Sequence, residues 1–138
     1  MYKLAVVLAL VSCAHVSHSQ IRGTPWKNCV RGSNNLVINN VEVEGCTAAP
    51  CVLTRGTIVS VTITFTPERQ ISDLTNKLYG LLLRVTCPMS PGTQYVQVVS
   101  LFIPLDWPLM HASIQWKMVD ESAPNVGCFE IPDMIAQT

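Results

Sequence analysis

The chain has 138 residues, of which 49% are hydrophobic, and nine basic side chains balance nine acidic ones. A chain without net positive charge lacks the long-range attraction for phosphate backbones, so we expect no nucleic-acid partner. Its length fits a single domain with one modest core. No apolar run is long enough to cross a bilayer.

The first segment, MYKLAVVLALVSCAHVSHSQ, has the pattern of a secretory signal peptide. One early cation, Lys3, precedes an apolar run over residues 4–11, and Ser17 and Ser19 have the spacing of a cleavage site. A membrane anchor is the alternative, but the apolar run is too short to span a bilayer. We therefore predict a signal peptide over residues 1–19, a mature domain over residues 20–138 and a secreted protein, with the lysosomal lumen as a second destination.

The mature segment predicts short strands separated by turns. In chain order they are NNLVINNVEVEG, TIVSVTITFT, KLYGLLLRV, QYVQVVSLFI, SIQWKMV and CFEIPDMIAQ. Pro132 should place the last strand at an edge or a bulge, because proline cannot donate to a ladder. No long stretch has a helical period. The pattern therefore predicts an all-β protein, an antiparallel β-sandwich.

Few residues are suited to catalysis, so we predict that the protein is not an enzyme. His111 is the only histidine after the signal peptide, and no nucleophile motif accompanies it. The scattered carboxylates leave a glycosidase-type pair open, although nothing in their spacing favours one. With one histidine, no Cys-x-x-Cys pair and no phosphate-binding glycine loop, we expect neither metal nor cofactor.

Two apolar features leave alternatives open. Several strands carry apolar faces that form either a plain core or the lining of a cavity for an apolar ligand: Val59, Val61, Ile63, Phe65, Leu78, Leu82, Ile114, Trp116 and Met118. The segment FIPLDWP places apolar residues between prolines, where a regular strand must break. Its side chains form a rim or lid, or they close the end of the core.

An ordered series of motifs resembles one known family. The segment VEGCTAAPCVLTRGTIVSVTITFTP combines a Cys-x4-Cys pair, a proline before the second cysteine, and an alternating strand that ends in TFT. YGLLLRV, CP, WPLMHASIQWKM and GCFEIPDMI follow in order. Together they resemble the MD-2-related lipid-recognition (ML) domain family, and within it the Niemann-Pick type C branch of sterol carriers and its arthropod members.

The resemblance implies an immunoglobulin-like β-sandwich whose two antiparallel sheets enclose an apolar cavity. Its ligand would be a sterol or another apolar lipid, such as a fatty acid or semiochemical, and a membrane sterol transporter or receptor is a further candidate partner. An innate-immune protein that binds microbial lipid for a receptor is the alternative. The implied bridges are Cys29–Cys128 and Cys46–Cys51. The implied ligand-binding positions are Val43, Val59, Val61, Ile63, Phe65, Leu78, Leu82, Ile114 and Trp116, with Ile103 and Trp107 at the rim.

Cys87 departs from the family pattern. Removing the signal peptide removes Cys13 and leaves five cysteines in an oxidising compartment, so one is left over. In the family, a loop between the YG strand and the CP dipeptide carries the cysteine that pairs with the position of Cys87, and this loop is missing here. We therefore predict a free thiol at Cys87, a monomer with a dimer through Cys87 as the alternative, and weaker retention of ligand.

Overall fold

A computed structural model describes residues 6–15, 23–29, 36–78, 81–120 and 123–137. For residues 6–15, 81 and 123–126 it describes the backbone alone. All regular structure within these ranges is β-strand, as predicted. The strands are β1 (Val6–His15), β2 (Lys27–Asn28), β3 (Leu36–Val43), β4 (Cys51–Thr54), β5 (Ile58–Pro67), β6 (Leu74–Leu78), β7 (Leu81–Val85), β8 (Tyr95–Phe102), β9 (His111–Asp120) and β10 (Ala123–Ala136).

The strands form two sheets. One has four strands in the order β1-β8-β5-β3, and the other follows the path β2-β10-β9-β6-β7, with β4 also paired to β10. The β4–β10 pair is parallel, whereas the other strand pairs in the described ranges are antiparallel. Pro132 pairs with Ser113 of β9, while β10 meets β2 at Phe129 and Glu130 and meets β4 from Asp133 onwards. β10 lies inside its sheet, so the edge or bulge predicted from Pro132 is wrong; proline is tolerated because it falls between the two neighbours on that side.

One predicted strand divides into two. KLYGLLLRV forms β6 and β7, which pair as a hairpin with Leu78 opposite Leu81. The prediction failed because the segment is apolar on both faces, so periodicity alone could not locate a turn within it. The short strands β2 and β4 were also missed, because two to four residues are too few for a recognisable period.

β1 lies within the segment predicted as a signal peptide. It pairs with β8 and forms the outer strand of the four-stranded sheet. The signal peptide over residues 1–19 stays a prediction. Where those residues are removed, β8 becomes the edge of its sheet.

The core lies between the two sheets. Along β5, Val61, Ile63 and Phe65 are buried and alternate with less buried neighbours, as the sequence predicted. In β3 the alternation is interrupted, because Ile38 and Val41 are both buried. A register shift between Ile38 and Asn40 accounts for this, since an extra residue in one strand returns the following side chains to the same face.

Two disulfides join distant parts of the fold, and both confirm the pairing that the resemblance implied. Cys29–Cys128 closes a sequence separation of 99 residues and attaches the segment before β3 to β10. Cys46–Cys51 closes a separation of five and fixes the turn before β4.

The prediction of a free thiol at Cys87 is wrong for the full chain. Cys87 is disulfide-bonded and half-buried, and no cysteine whose side chain is described is free. The prediction failed because it counted only the cysteines that follow the expected cleavage site. The free thiol and the dimer through Cys87 were predicted for the mature chain that begins at Gln20, and for that form they stay predictions.

Two buried carboxylates differ in how they are neutralised. Asp120 is 4% exposed and pairs with Arg69 at 2.9 Å. Asp133 is 2% exposed and lies on the inward face of β10 with Ile131 and Ile135. Burial raises the pKa of Asp133 to about 7, although a backbone hydrogen bond from Ile114 partly opposes the shift.

We expect the two disulfides to contribute unequally to stability. On the chain-entropy model, the long loop closed by Cys29–Cys128 is worth about 4–5 kcal/mol, and the short loop closed by Cys46–Cys51 about 2 kcal/mol. The double variants Cys29→Ala/Cys128→Ala and Cys46→Ala/Cys51→Ala are compared by urea unfolding. The first should lose more stability, and equal losses would contradict the loop-length explanation.

Asp133 should make the protein less stable as pH rises. The folded state holds the proton up to about pH 7, whereas an unfolded aspartate loses it near its ordinary pKa of 3.8. The contribution is therefore fully favourable below about pH 4 and is lost between about pH 4 and pH 7. Asp133→Asn should gain on the order of 1–3 kcal/mol over the parent at pH 8 and little at pH 4.

The control for this pH effect is Glu130→Gln on the outer side of β10. Hydrogen bonding from Gln115 and the nearby Lys27 hold the pKa of Glu130 below its ordinary value, so its effect on stability has the opposite sign. Urea unfolding at several pH values separates the two variants. An unchanged pH slope in Asp133→Asn would show that Asp133 is not the group responsible.

Candidate functional site

Both sheets contribute apolar side chains to one shared interior. β5 and β9 contribute the rows that the sequence predicted, because alternate residues of a strand project to the same face. Neighbouring strands extend these rows. The buried apolar residues of the interior include Val41, Val43, Val61, Ile63, Phe65, Leu74, Leu78, Tyr95, Val99, Ile114, Trp116, Met118, Phe129 and Ile131.

Most of the predicted ligand-binding residues come together in this interior. Seven are buried and Val59 is half-buried against the core; the seven are Val43, Val61, Ile63, Phe65, Leu78, Ile114 and Trp116. Their position agrees with the prediction, while their contact with a ligand stays a prediction.

Leu82 does not share this position. It lies on β7 opposite Lys77 and is 64% exposed. Directly paired residues of an antiparallel hairpin share a face, and Lys77 projects into solvent. Reading KLYGLLLRV as one strand placed Leu82 on the face of Leu78, whereas the antiparallel pairing of β6 with β7 places it on the opposite face.

The predicted rim residues are more enclosed than expected. Ile103 is 2% exposed, and its backbone exchanges hydrogen bonds with Gly56 and Thr57 at 2.7 and 2.9 Å. Trp107 is half-buried against the core, and its carbonyl accepts a hydrogen bond from Arg55 Nη1 at 3.2 Å. The segment after β8 therefore closes one end of the core instead of forming an open rim.

Apolar side chains around this closed end remain exposed. We call Ile58, Leu105, Leu109 and Met110 the apolar end; each is 48–66% exposed. Leu105 lies over the turn at Gly56, where a Cβ would approach its Cδ2 to 3.0 Å. Met110 is joined to β10 through the hydrogen bond from Ile135 N–H to its carbonyl. Exposed apolar clusters of this kind mark places where an apolar molecule or surface is met.

Aromatic rings form the centre of the interior. Trp116 and Phe129, paired across β9 and β10, stack with centroids 5.6 Å apart and an interplanar angle of 16°. Trp26 packs edge-on against Phe129 at 6.5 Å. Phe65 and Tyr95 lie 6.1 Å apart on the four-stranded sheet. Polarisable aromatic surface of this kind suits large apolar ligands and equally suits a core.

A chain of polar side chains crosses this apolar interior. Trp116 Nε1–H donates to Asn76 Oδ1 at 3.0 Å, and Asn76 Nδ2 donates to Gln97 Oε1 at 3.2 Å and to the carbonyl of Leu83 at 3.3 Å. Asn76 and Gln97 are 1% and 0% exposed. Because Asn76 lies on β6 and Gln97 on β8, their bond links the two sheets. We call Trp116, Asn76 and Gln97 the polar chain.

Sequence analysis missed Asn76 and Gln97. The available signal was their parity, because Asn76 alternates in step with Leu74 and Leu78, as Gln97 does with Tyr95 and Val99. A polar residue in an inward row is normally hydrogen-bonded. Where the inward face of a strand is known, a polar residue at an inward position therefore indicates a buried polar site.

Within the described part of the chain, no group of three or more histidine, cysteine, aspartate or glutamate residues is placed to hold a metal ion. In the same residues, no helix is long and apolar enough to cross a membrane.

Comparison with known proteins extends over most of the chain. The ML domain family model matches residues 23–86 and 73–135, two segments that overlap over β6 and β7, directly before the position at which the resemblance places the missing loop. NPC intracellular cholesterol transporter 2 from Mus musculus is 31% identical, covering 96% of this chain and 97% of the relative. Its homolog a from Drosophila melanogaster is 24% identical, covering 75% of this chain and 83% of the relative.

A solved structure shows the same fold. A Niemann-Pick type C2 protein from the Japanese carpenter ant superimposes with a TM-score of 0.70 at 17% sequence identity, covering 81% of this chain and 99% of that structure. The two sheets therefore form an immunoglobulin-like β-sandwich, as the sequence resemblance implied. From the family match and these relatives, the chain belongs to the ML domain family.

Proposed function

We propose that this protein binds a sterol or another apolar lipid between its two sheets and carries it through water. The observation that carries the proposal is the convergence of apolar rows from both sheets on one interior around Trp116, Phe129 and Phe65. Family membership and the name of the cholesterol transporter relatives support the same function. Binding of this kind involves no bond chemistry, so the proposal includes no enzymatic step.

The free energy of binding would come from burying apolar surface. Covering 200–300 Å² of apolar ligand surface is worth about 5–7 kcal/mol before the cost of association. The apolar end supplies a path for the ligand, because it is exposed apolar surface directly outside the segment that covers the core. By the family resemblance, the loop missing between β7 and Cys87 would cover part of the interior, and its absence favours faster release of the ligand.

The proposed setting is extracellular, with the lysosomal lumen as a second destination. The signal-peptide pattern of residues 1–19 supports export, and the disulfides suit an oxidising compartment. We propose that the mature protein acts as a monomer. A membrane transporter or receptor that receives the lipid would meet it at the apolar end.

Trp116→Ala should weaken the binding of a fluorescent sterol or fatty acid by about tenfold or more, because it removes the largest side chain of the interior. Leu82→Ala is the matched control, since Leu82 lies on the outer face of β7 and its removal should change affinity less than twofold. Phe65→Leu keeps most of the apolar volume and tests the lining where Trp116→Ala is poorly folded. Titration by fluorescence, with thermal unfolding of each variant, measures these effects.

Two results would contradict the proposal. The first is a folded parent protein that binds none of the sterols and fatty acids tested. The second is equal affinity in the parent, Trp116→Ala and Phe65→Leu while all three remain folded.

A further inference from the structure

The polar chain ends in a donor that meets no acceptor among the described residues. Gln97 is fully buried, its Oε1 accepts from Asn76, and its Nε2 has no hydrogen-bond partner in the described part of the chain. Tyr95 and Val99 flank it on the same inward face, and Ile63 is its register partner on β5. The two N–H groups of this amide therefore lie inside the apolar interior.

The direction of this amide is fixed by chemistry. The indole N–H of Trp116 can only donate, so the Asn76 atom that it meets must be the carbonyl oxygen. The other end of Asn76 is then the amino group, and the Gln97 atom that it meets must be an acceptor. Rotating either amide would oppose two donors, so the unpartnered group at the end of the chain is the Gln97 amino group.

A buried donor without an acceptor is costly and is rare in folded proteins. Binding pockets for small molecules are typically apolar with a few polar groups placed to fix the ligand, and Gln97 stands in such a position. The polar chain also holds Gln97 rigidly, because Asn76 is anchored to both Trp116 and the Leu83 carbonyl. A fixed donor can therefore discriminate between ligands that do and do not carry an acceptor at their buried end.

The acceptor that fits is a neutral oxygen. An ionised carboxylate inside this interior would need a cation, and the lysines of β6 and β9, Lys77 and Lys117, are exposed on the opposite faces of their strands. β8, which carries Gln97, contains no charged residue. A ketone, ester or hydroxyl oxygen accepts the hydrogen bond without requiring a counter-charge.

We propose that Gln97 Nε2 donates a hydrogen bond to a neutral oxygen at the buried end of the lipid, and so selects oxygen-bearing lipids over hydrocarbons of the same shape. The inference rests on the proposed function and adds the class of ligand to it. Gln97 is thereby the residue that determines specificity, while the apolar rows supply affinity.

Two matched ligand pairs test this inference: cholesterol against 5-cholestene, and 2-octadecanone against octadecane. Each competes with a fluorescent lipid for the full protein. The parent should prefer the oxygen-bearing member of at least one pair by about tenfold. Gln97→Met removes the donor at similar side-chain volume and should reduce that preference to less than twofold, without weakening the hydrocarbon.

Gln115→Met is the control, because Gln115 lies on the exposed face of β9 and bonds Glu130, and it should keep the preference of the parent. The infrared carbonyl stretch of bound 2-octadecanone tests for the hydrogen bond in the parent protein itself, so this measurement needs no variant. For 2-octadecanone bound to the parent, the stretch should lie at lower frequency than for the same ketone dissolved in hexadecane. An unshifted stretch would overturn the inference, even where Gln97→Met fails to fold.

The outcomes separate the two proposals. Failure of every member of both pairs to bind the parent would overturn the proposed function itself. Binding of both members of each pair with equal affinity would leave lipid binding intact and overturn the role of Gln97, as expected if a buried water satisfies the amide. A preference that persists in Gln97→Met would also overturn it.

Discussion

The packing of two inward apolar faces against each other is the constraint on which the rest of this fold depends. Each strand of the two sheets can bury only alternate residues, so register decides what reaches the interior. The Cys29–Cys128 bridge anchors the segment before β3 to β10 and so joins the two ends of the domain. Strand register places Trp116 directly opposite Phe129, and the two rings stack in the centre.

The same constraint makes the polar chain informative. An interior formed by apolar rows has few positions for a polar side chain. Each such side chain needs a hydrogen-bond partner, either a neighbouring residue or a bound ligand. The donor-only indole of Trp116 sets the orientation of Asn76, which in turn sets that of Gln97. The hydrogen bonds therefore run from Trp116 and Asn76 on one sheet to Gln97 on the other. The amino group at their end is suited to an oxygen acceptor. If the interior served only as a packed core, it would be more stable with an apolar residue in place of Gln97.

Sequence predicted this interior best where one strand alone determines which face a residue occupies. The alternation in β5 and β9 located their buried rows, and family motifs supplied the two bridges. Periodicity failed where a second strand decides the face, as at Leu82, whose position follows from the pairing of β7 with β6. Asn76 and Gln97 were missed because their significance depends on a partner across the sheets. Cys87 was misjudged because cysteine counting depends on which part of the chain is retained.

The central claim is that the space between the sheets holds an apolar lipid. Native mass spectrometry of the protein recovered from the culture medium, followed by solvent extraction, tests it most directly. We expect one lipid per chain, released by organic solvent and carrying a neutral oxygen, on a polypeptide that begins at Gln20. Recovery of the protein without lipid, together with no adduct after incubation with cholesterol or 2-octadecanone, would contradict it.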